Sequence, residues 1–230
     1  MASSPTTEKV IPYALLGMTA VTGLVDAVSF LSLGRVFTAN MTGNIVLLAF
    51  ATAHVSGLSI ARSLTALLAF LVGAILGGRF MAGANAESLT RFAAQAFLLE
   101  GALLFAASFC GIGYRGNLLE DSFQPFAMIA LMALAMGTRN AAVRKLAIPD
   151  LTTTVLTLTI TGIGADSSLA NGNNPRLARR VGSVAAMFLG AALGAVIIQY
   201  SISAALWLGT AISVVCSAAL IRSLRASDSL

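Results

Sequence analysis

Six long apolar stretches, separated by short polar breaks, run along the chain at about 11–33, 63–83, 92–112, 125–147, 181–200 and 202–221. A helix needs about 20 mainly apolar residues to cross a bilayer, so the pattern predicts an all-α integral membrane bundle. Two shorter, more polar segments interrupt it. One, about 36–53, carries Thr38, Asn40, Thr42, Gly43 and Asn44. The other, about 151–164, carries six threonines between Thr152 and Thr161. Each can be read as a tilted extra span or as a broken piece that enters the membrane and returns.

The pattern also duplicates itself. Ala69-Phe-Leu-Val-Gly73-Ala-Ile-Leu-Gly77-Gly78 returns as Ala186-Met-Phe-Leu-Gly190-Ala-Ala-Leu-Gly194-Ala195, 117 residues later. Thr38-Ala-Asn-Met-Thr42-Gly-Asn44 has a fainter echo in Thr153-Thr-Val-Leu-Thr157-Leu-Thr159, at an offset of 115. One membrane domain, 1–230, therefore contains repeats at about 11–113 and 125–222. Duplicated membrane proteins are common among transporters, whose sites lie where the halves meet. The glycine pairs read as small-xxx-small seats for neighbouring helices, and Phe37, Phe70 and Phe188 as packing or lipid-facing residues.

Basic residues choose between topologies, because cytoplasmic loops hold the excess of Lys and Arg. Six spans place Lys9, Arg79, Arg91, Arg144, Lys145, Arg176, Arg179, Arg180, Arg222 and Arg225 on one side, against Arg35, Arg62 and Arg115 on the other. Eight spans give a weaker split, eight against five. Six spans with cytoplasmic termini are expected, Met1 to Lys9 and Arg222 to Leu230 forming polar tails. Three spans per half place the second half upside down relative to the first. The first stretch lacks a small-residue cleavage pattern and is read as a span that stays.

Composition agrees. The 230 residues are 57% hydrophobic and 10% charged, with a mean hydropathy of +0.89, whereas a soluble domain carries about 25% charged residues. The net charge of +5 sits beside apolar stretches and forms no aromatic-and-basic patch, so nucleic acid is not an expected partner. Cys110, Cys216 and His54 match no metal-ligand spacing. No nucleophile set, phosphate loop or HExxH pair appears. No enzyme activity, metal or cofactor is expected.

Polar groups at bilayer depth carry the remaining signal, since each is costly there. Asp26 lies two-thirds along the first span and reads either as a proton or cation site or as half of a structural ion pair. Asn140 holds the corresponding place in the fourth span, beside Arg139, which is too deep to snorkel. Asp26 and Arg139 are expected to approach each other, directly or through water. Glu100, in the third span with no obvious local cation, is a second proton-carrier candidate or a protonated packing residue. On a helix Asn40 and Asn44 share a face, as do Thr38 and Thr42, and likewise Thr153 and Thr157. Such amides and hydroxyls suit a small polar solute, or hydrogen bonds between helices.

At Gly23-Leu-Val-Asp26-Ala-Val-Ser-Phe30 followed by Phe37-Thr-Ala-Asn40-Met-Thr42-Gly-Asn44 the chain resembles the YoaK family of bacterial membrane proteins. Leu158 stands where members of that family often have glycine. The resemblance implies a polytopic inner-membrane protein and supplies no substrate.

The expectation is secondary transport of a small polar or ionic solute across the bacterial cytoplasmic membrane, with protons as the candidate coupling ion. Asp26, Asn40, Thr42, Asn44, Glu100, Arg139, Asn140, Thr153 and Thr157 would line the pathway. A channel and a structural or regulatory subunit are the rivals. The partners are the lipid bilayer and the solute, and the length leaves a homodimer open.

Overall fold

Capping chemistry sets where the apolar stretches become helices. The computed structural model describes residues 5–85, 88–114 and 123–228. The elements are α1 (Pro5–Ser32), α2 (Met41–Thr52), α3 (Ile60–Ala82), α4 (Leu89–Cys110), α5 (Phe123–Leu146), α6 (Thr157–Ala165), a 3-10 turn (Ser168–Ala170), α7 (Leu177–Ile197) and α8 (Ile202–Asp228), with no strand among the described residues. Gly34 ends α1 in the left-handed region, at φ +98°, and the Arg35 N–H returns to the Phe30 carbonyl at 3.2 Å. That geometry favours glycine because a Cβ would be strained there. Asn40 caps α2 by accepting from Gly43 N at 3.2 Å, and Ser59 caps α3 by accepting from Arg62 N at 3.3 Å.

α1, α3, α4, α5, α7 and α8 are long and apolar enough to cross a membrane. α2 and α6, at 12 and 9 residues, are too short to cross alone. The polar tails are shorter than expected. α1 already begins at Pro5, and α8 continues through Arg222 to Asp228. Arg115, on the minority side of the six-span charge split, lies outside the described residues.

The spans alternate in direction. α1 lies parallel to α7, along Gly23 against Met187 and Gly194 against Leu24 and Ala27. α3 lies parallel to α5, along Gly73 against Leu134 and Gly77 against Thr138 and Ala141. α4 and α8 run antiparallel, with Ser217 Oγ donating to Ala94 O at 2.7 Å and Ser203 Oγ to Ser108 O at 2.8 Å. α8 also runs antiparallel to α1, and α5 to α4. It follows that α1, α4 and α7 point one way and α3, α5 and α8 the other.

The glycines set the closest contacts. A side chain on Gly190 would strike the Ala20 carbonyl of α1, and one on Gly73 the Leu134 carbonyl of α5. Lipid tails supply no hydrophobic drive between helices, so such backbone-to-backbone approach provides the van der Waals contact that holds spans together. The core is built by Leu24, Val25 and Val28 of α1 with Leu104 of α4, Met132 and Met136 of α5, and Leu206 of α8. α3 and α7 flank it, reaching it through Ala66, Phe70 and Ile197, and expose Leu68, Leu71, Leu76, Phe188, Leu189 and Leu193, an apolar exterior suited to lipid.

Candidate functional site: two clefts meeting between the short helices

Beyond α1 the chain folds back along it. The N–H groups of Thr38 and Ala39 donate to Oδ1 of Asp26, at 3.0 and 2.9 Å, so this stretch returns to the depth of a residue well inside the span. α2 starts at that depth. Asn44, fully buried, clamps the fold-back with both ends of its amide: Oδ1 accepts from Phe37 N at 2.8 Å, and Nδ2 donates to Phe37 O. The Phe37 ring stacks on Phe30, centroids 4.9 Å apart. It also leaves no room for a Cβ at Gly43.

The segment after α5 makes a related turn. Thr154 Oγ1 donates to Asn140 Oδ1 at 2.9 Å, and α6 begins three residues further on, at Thr157. Thr153 holds φ +63°, a strained value for a β-branched residue. The hydroxyls of Thr153 and Thr38 are buried without a protein partner. Both sit at the inner tip of a folded-back segment.

Two open clefts adjoin these tips. The larger, about 1000 Å³, is walled by Gly23, Asp26, Ala27, Phe30 and Leu31 of α1 and by Met187 to Ala195 of α7, with Phe37, Thr157 and Ile160. The smaller, about 650 Å³, is walled by Phe70 to Met81 of α3 and Asn140 to Lys145 of α5. Both clefts include Asn40, Thr42, Thr154 and Val155. The larger follows the later halves of α1 and α7, the smaller the later halves of α3 and α5. These pairs run in opposite directions, so the clefts lie in opposite halves of the bundle's depth and share the tip residues.

A different polar centre lies in the core. Arg139, fully buried, bonds Glu100 Oε1 at 3.0 Å, the Met18 carbonyl at 2.8 Å and the Thr22 hydroxyl, with Met136 Sδ at 3.1 Å. This ties α5 to α4 and α1. Among its polar atoms, Glu100 Oε2 and Arg139 Nε have no protein partner.

At the end where α5 finishes, Arg180 of α7 gathers the neighbouring segments. It bonds Asp150 at 3.0 Å, Asp166 at 2.8 Å and the Gly162 carbonyl of α6, while Arg176 pairs with Asp150 at 2.6 Å. Partial burial pushes the Asp150 carboxyl up, but hydrogen bonds and positive charge from Arg176 and Arg180 outweigh it and hold the group below its ordinary value.

The family model described as Protein of unknown function (DUF1275) matches residues 14–219. The chain belongs to this family. A relative from Bacillus subtilis (strain 168), described as UPF0700 transmembrane protein YoaK, is 38% identical over 156 residues, or 67% of this chain. That match spans 65% of the relative's length. No solved structure gives a significant match. The resemblance drawn from the Asp26 and Asn40–Asn44 motifs thus holds, and the DUF1275 assignment covers both halves of the bundle.

Within this family member the nominated residues divide. Asp26, Asn40, Thr42 and Thr157 line the larger cleft, and Asn140 the smaller. Glu100, Arg139, Asn44 and Thr153 line neither. Arg139 makes its direct ion pair with Glu100, which supplies the cation that Glu100 lacked in the sequence, while its charge still acts on Asp26 without a hydrogen bond between them. Consecutive residues on a helix point about 100° apart, so Asn140 faces the cleft while Arg139 faces the core. The pairing of Thr38 with Thr42, and of Asn40 with Asn44, on one helical face also fails, because α2 begins only at Met41. Thr153 is likewise outside α6. Thr154, Phe30 and the Asp150–Arg180 cluster went unrecognised. Phe37 and Phe188, read as packing or lipid-facing residues, both border the larger cleft, with Phe188 largely exposed. Thr154 had stood only as one of six threonines in its segment.

Proposed function

We propose that this membrane protein is a secondary transporter of a small polar or ionic solute, built as an inverted repeat. In this reading α1 to α4 and α5 to α8 are equivalent halves, and α2 and α6 with their leading segments are re-entrant pieces that enter from opposite faces. The opposite directions of α1 and α5, of α3 and α7, and of α4 and α8 support the inversion. So do the matched glycine seats of α7 on α1 and α3 on α5. The distribution of Lys and Arg supports an orientation with both termini on the cytoplasmic side of the inner membrane.

One observation carries the transport reading: two clefts in opposite halves of the bundle share Asn40, Thr42, Thr154 and Val155. Movement of one half against the other would exchange which cleft reaches those residues. Asp26 carries the coupling proton, since it is the carboxylate at the cleft wall. Glu100 and Arg139 act as a structural pin. No catalytic residue set is assigned.

The test is proton flux in proteoliposomes holding a pH dye, with a panel of small solutes, for wild type and Asp26→Asn. Solute-dependent proton movement lost in a folded Asp26→Asn variant is the expected result. Solute-driven flux that is unchanged in Asp26→Asn would remove Asp26 from the coupling role. Absence of flux in wild type for the whole panel would favour a structural subunit.

A further inference from the structure

The larger cleft has an uneven chemistry. Among the described residues its one ionisable lining residue is Asp26, and no Lys or Arg lines it; Arg139 acts on Asp26 from the core side, where it is paired with Glu100. Around that carboxylate the walls are Ala27, Leu31, Val46, Leu47 and Ile160, with the Phe30–Phe37 stack and the ring of Phe188. Both backbone donors that reach Asp26 go to Oδ1. No described residue donates to Oδ2, and the side chain borders the cleft. The space, about 1000 Å³, is at the upper end of the roughly 300–1,000 Å³ that accommodates drug-sized ligands.

We propose that this cleft binds a lipophilic organic monocation, with its charge beside Asp26 and its apolar body against Phe30, Phe37 and Phe188. A carboxylate in apolar surroundings is stabilised by an opposite charge brought to it, and aromatic faces attract cations that have little hydration to lose. A small hydrated cation would leave most of the apolar wall uncovered. An anion would meet Asp26 with no positive group at the cleft wall, since Arg139 is buried in the core against Glu100, and the phosphate of a lipid headgroup meets the same repulsion. The smaller cleft has the reverse character, with Arg144 and Lys145 at its wall, so the selectivity belongs to the α1–α7 side. The inference rests on the transport reading only for the steps after binding.

Tetraphenylphosphonium and tetraphenylborate have one shape and opposite charges, which makes them the decisive probes. Calorimetric titration of the full chain in nanodiscs, with empty nanodiscs subtracted, should give saturable binding of the phosphonium and none of the borate. Asp26→Asn should weaken the phosphonium by about tenfold or more. Ala192→Trp, on the exposed wall of the cleft, should block it with Asp26 untouched. Equal binding of both ions, binding unchanged in both variants, or no phosphonium binding by folded protein would each overturn the proposal. Phosphonium binding without flux would retire transport and keep the binding site. Flux of other solutes without phosphonium binding would do the reverse.

Discussion

Glu100 in α4 and Asp26 in α1 are carboxylates at similar cost to a membrane helix, yet their surroundings have little in common. Glu100 is fully buried against the Arg139 guanidinium, which also holds the Met18 carbonyl and the Thr22 hydroxyl. Asp26 has no cationic partner in contact. Its Oδ1 takes two backbone amides at the tip of a folded-back segment, and the side chain borders an open cleft. The guanidinium reaches Oε1 alone, and Glu100 Oε2 is sealed in the core without a partner. The second oxygen of Asp26 has no donor among the described residues, but its side chain borders the cleft. Depth in the membrane therefore marks both residues as important, and the partner decides whether the role is to pin helices or to meet a solute.

The largest expected effect comes from breaking the closed centre. Arg139→Met leaves Glu100 buried and alone, which should cost about 3–5 kcal/mol. Adding Glu100→Leu should restore most of that loss, as read by denaturant unfolding in detergent. A double variant no more stable than the single would show that the contacts to Met18 and Thr22, and not the ion pair, hold α5.

Gly190→Ala acts on the α1–α7 seam beside the Asp26 cleft and leaves the pair untouched. It forces a Cβ into the Ala20 carbonyl and should cost about 1–3 kcal/mol. Gly78→Ala, which meets nothing within 4 Å, should be near neutral. A Gly190→Ala protein that melts with wild type would mean that α1 and α7 separate easily.

Asp26→Asn keeps an acceptor for Thr38 and Ala39, so stability should fall by no more than about 1 kcal/mol while coupled flux is lost. A large drop in melting temperature would move Asp26 into the same class as Glu100.

The smallest effect concerns Asp150, a carboxylate outside the spans. Its folded value lies below the ordinary 3.8. Its contribution is therefore complete above that ordinary value and is lost as pH falls through the folded one. The melting difference between wild type and Asp150→Asn should be small, because Arg176 is 46% exposed and exposed pairs are weak. It should shrink to nothing in acid. A difference that grew on acidification would contradict the pairing.

Much of the bundle could be read directly. Runs of about 20 apolar residues announce spans, and all six appear within a few residues of the expected limits. The Gly73–Gly77 and Gly190–Gly194 pairs likewise announced close helix contacts, though not that each would seat a helix of the other half. The candidate site was half legible. Asn40 and Thr42 stood out as polar residues in a short segment. That Asn44 would be spent on clamping Phe37, and that Thr154 would meet Asn140, depended on loop conformations without a periodic signature.

The sequence by itself determined the class of molecule, because the choice between water and lipid is additive along the chain. Apolar length, scarce charge and the bias of Lys and Arg each contribute locally, and no long-range contact can reverse them. Only the tertiary structure decided the partners. Whether Arg139 turns to Glu100 or to Asp26 depends on which face of α5 meets which neighbour. A rotation of one residue exchanges core for cleft. Ion pairs and hydrogen bonds between segments a hundred residues apart are settled by that geometry.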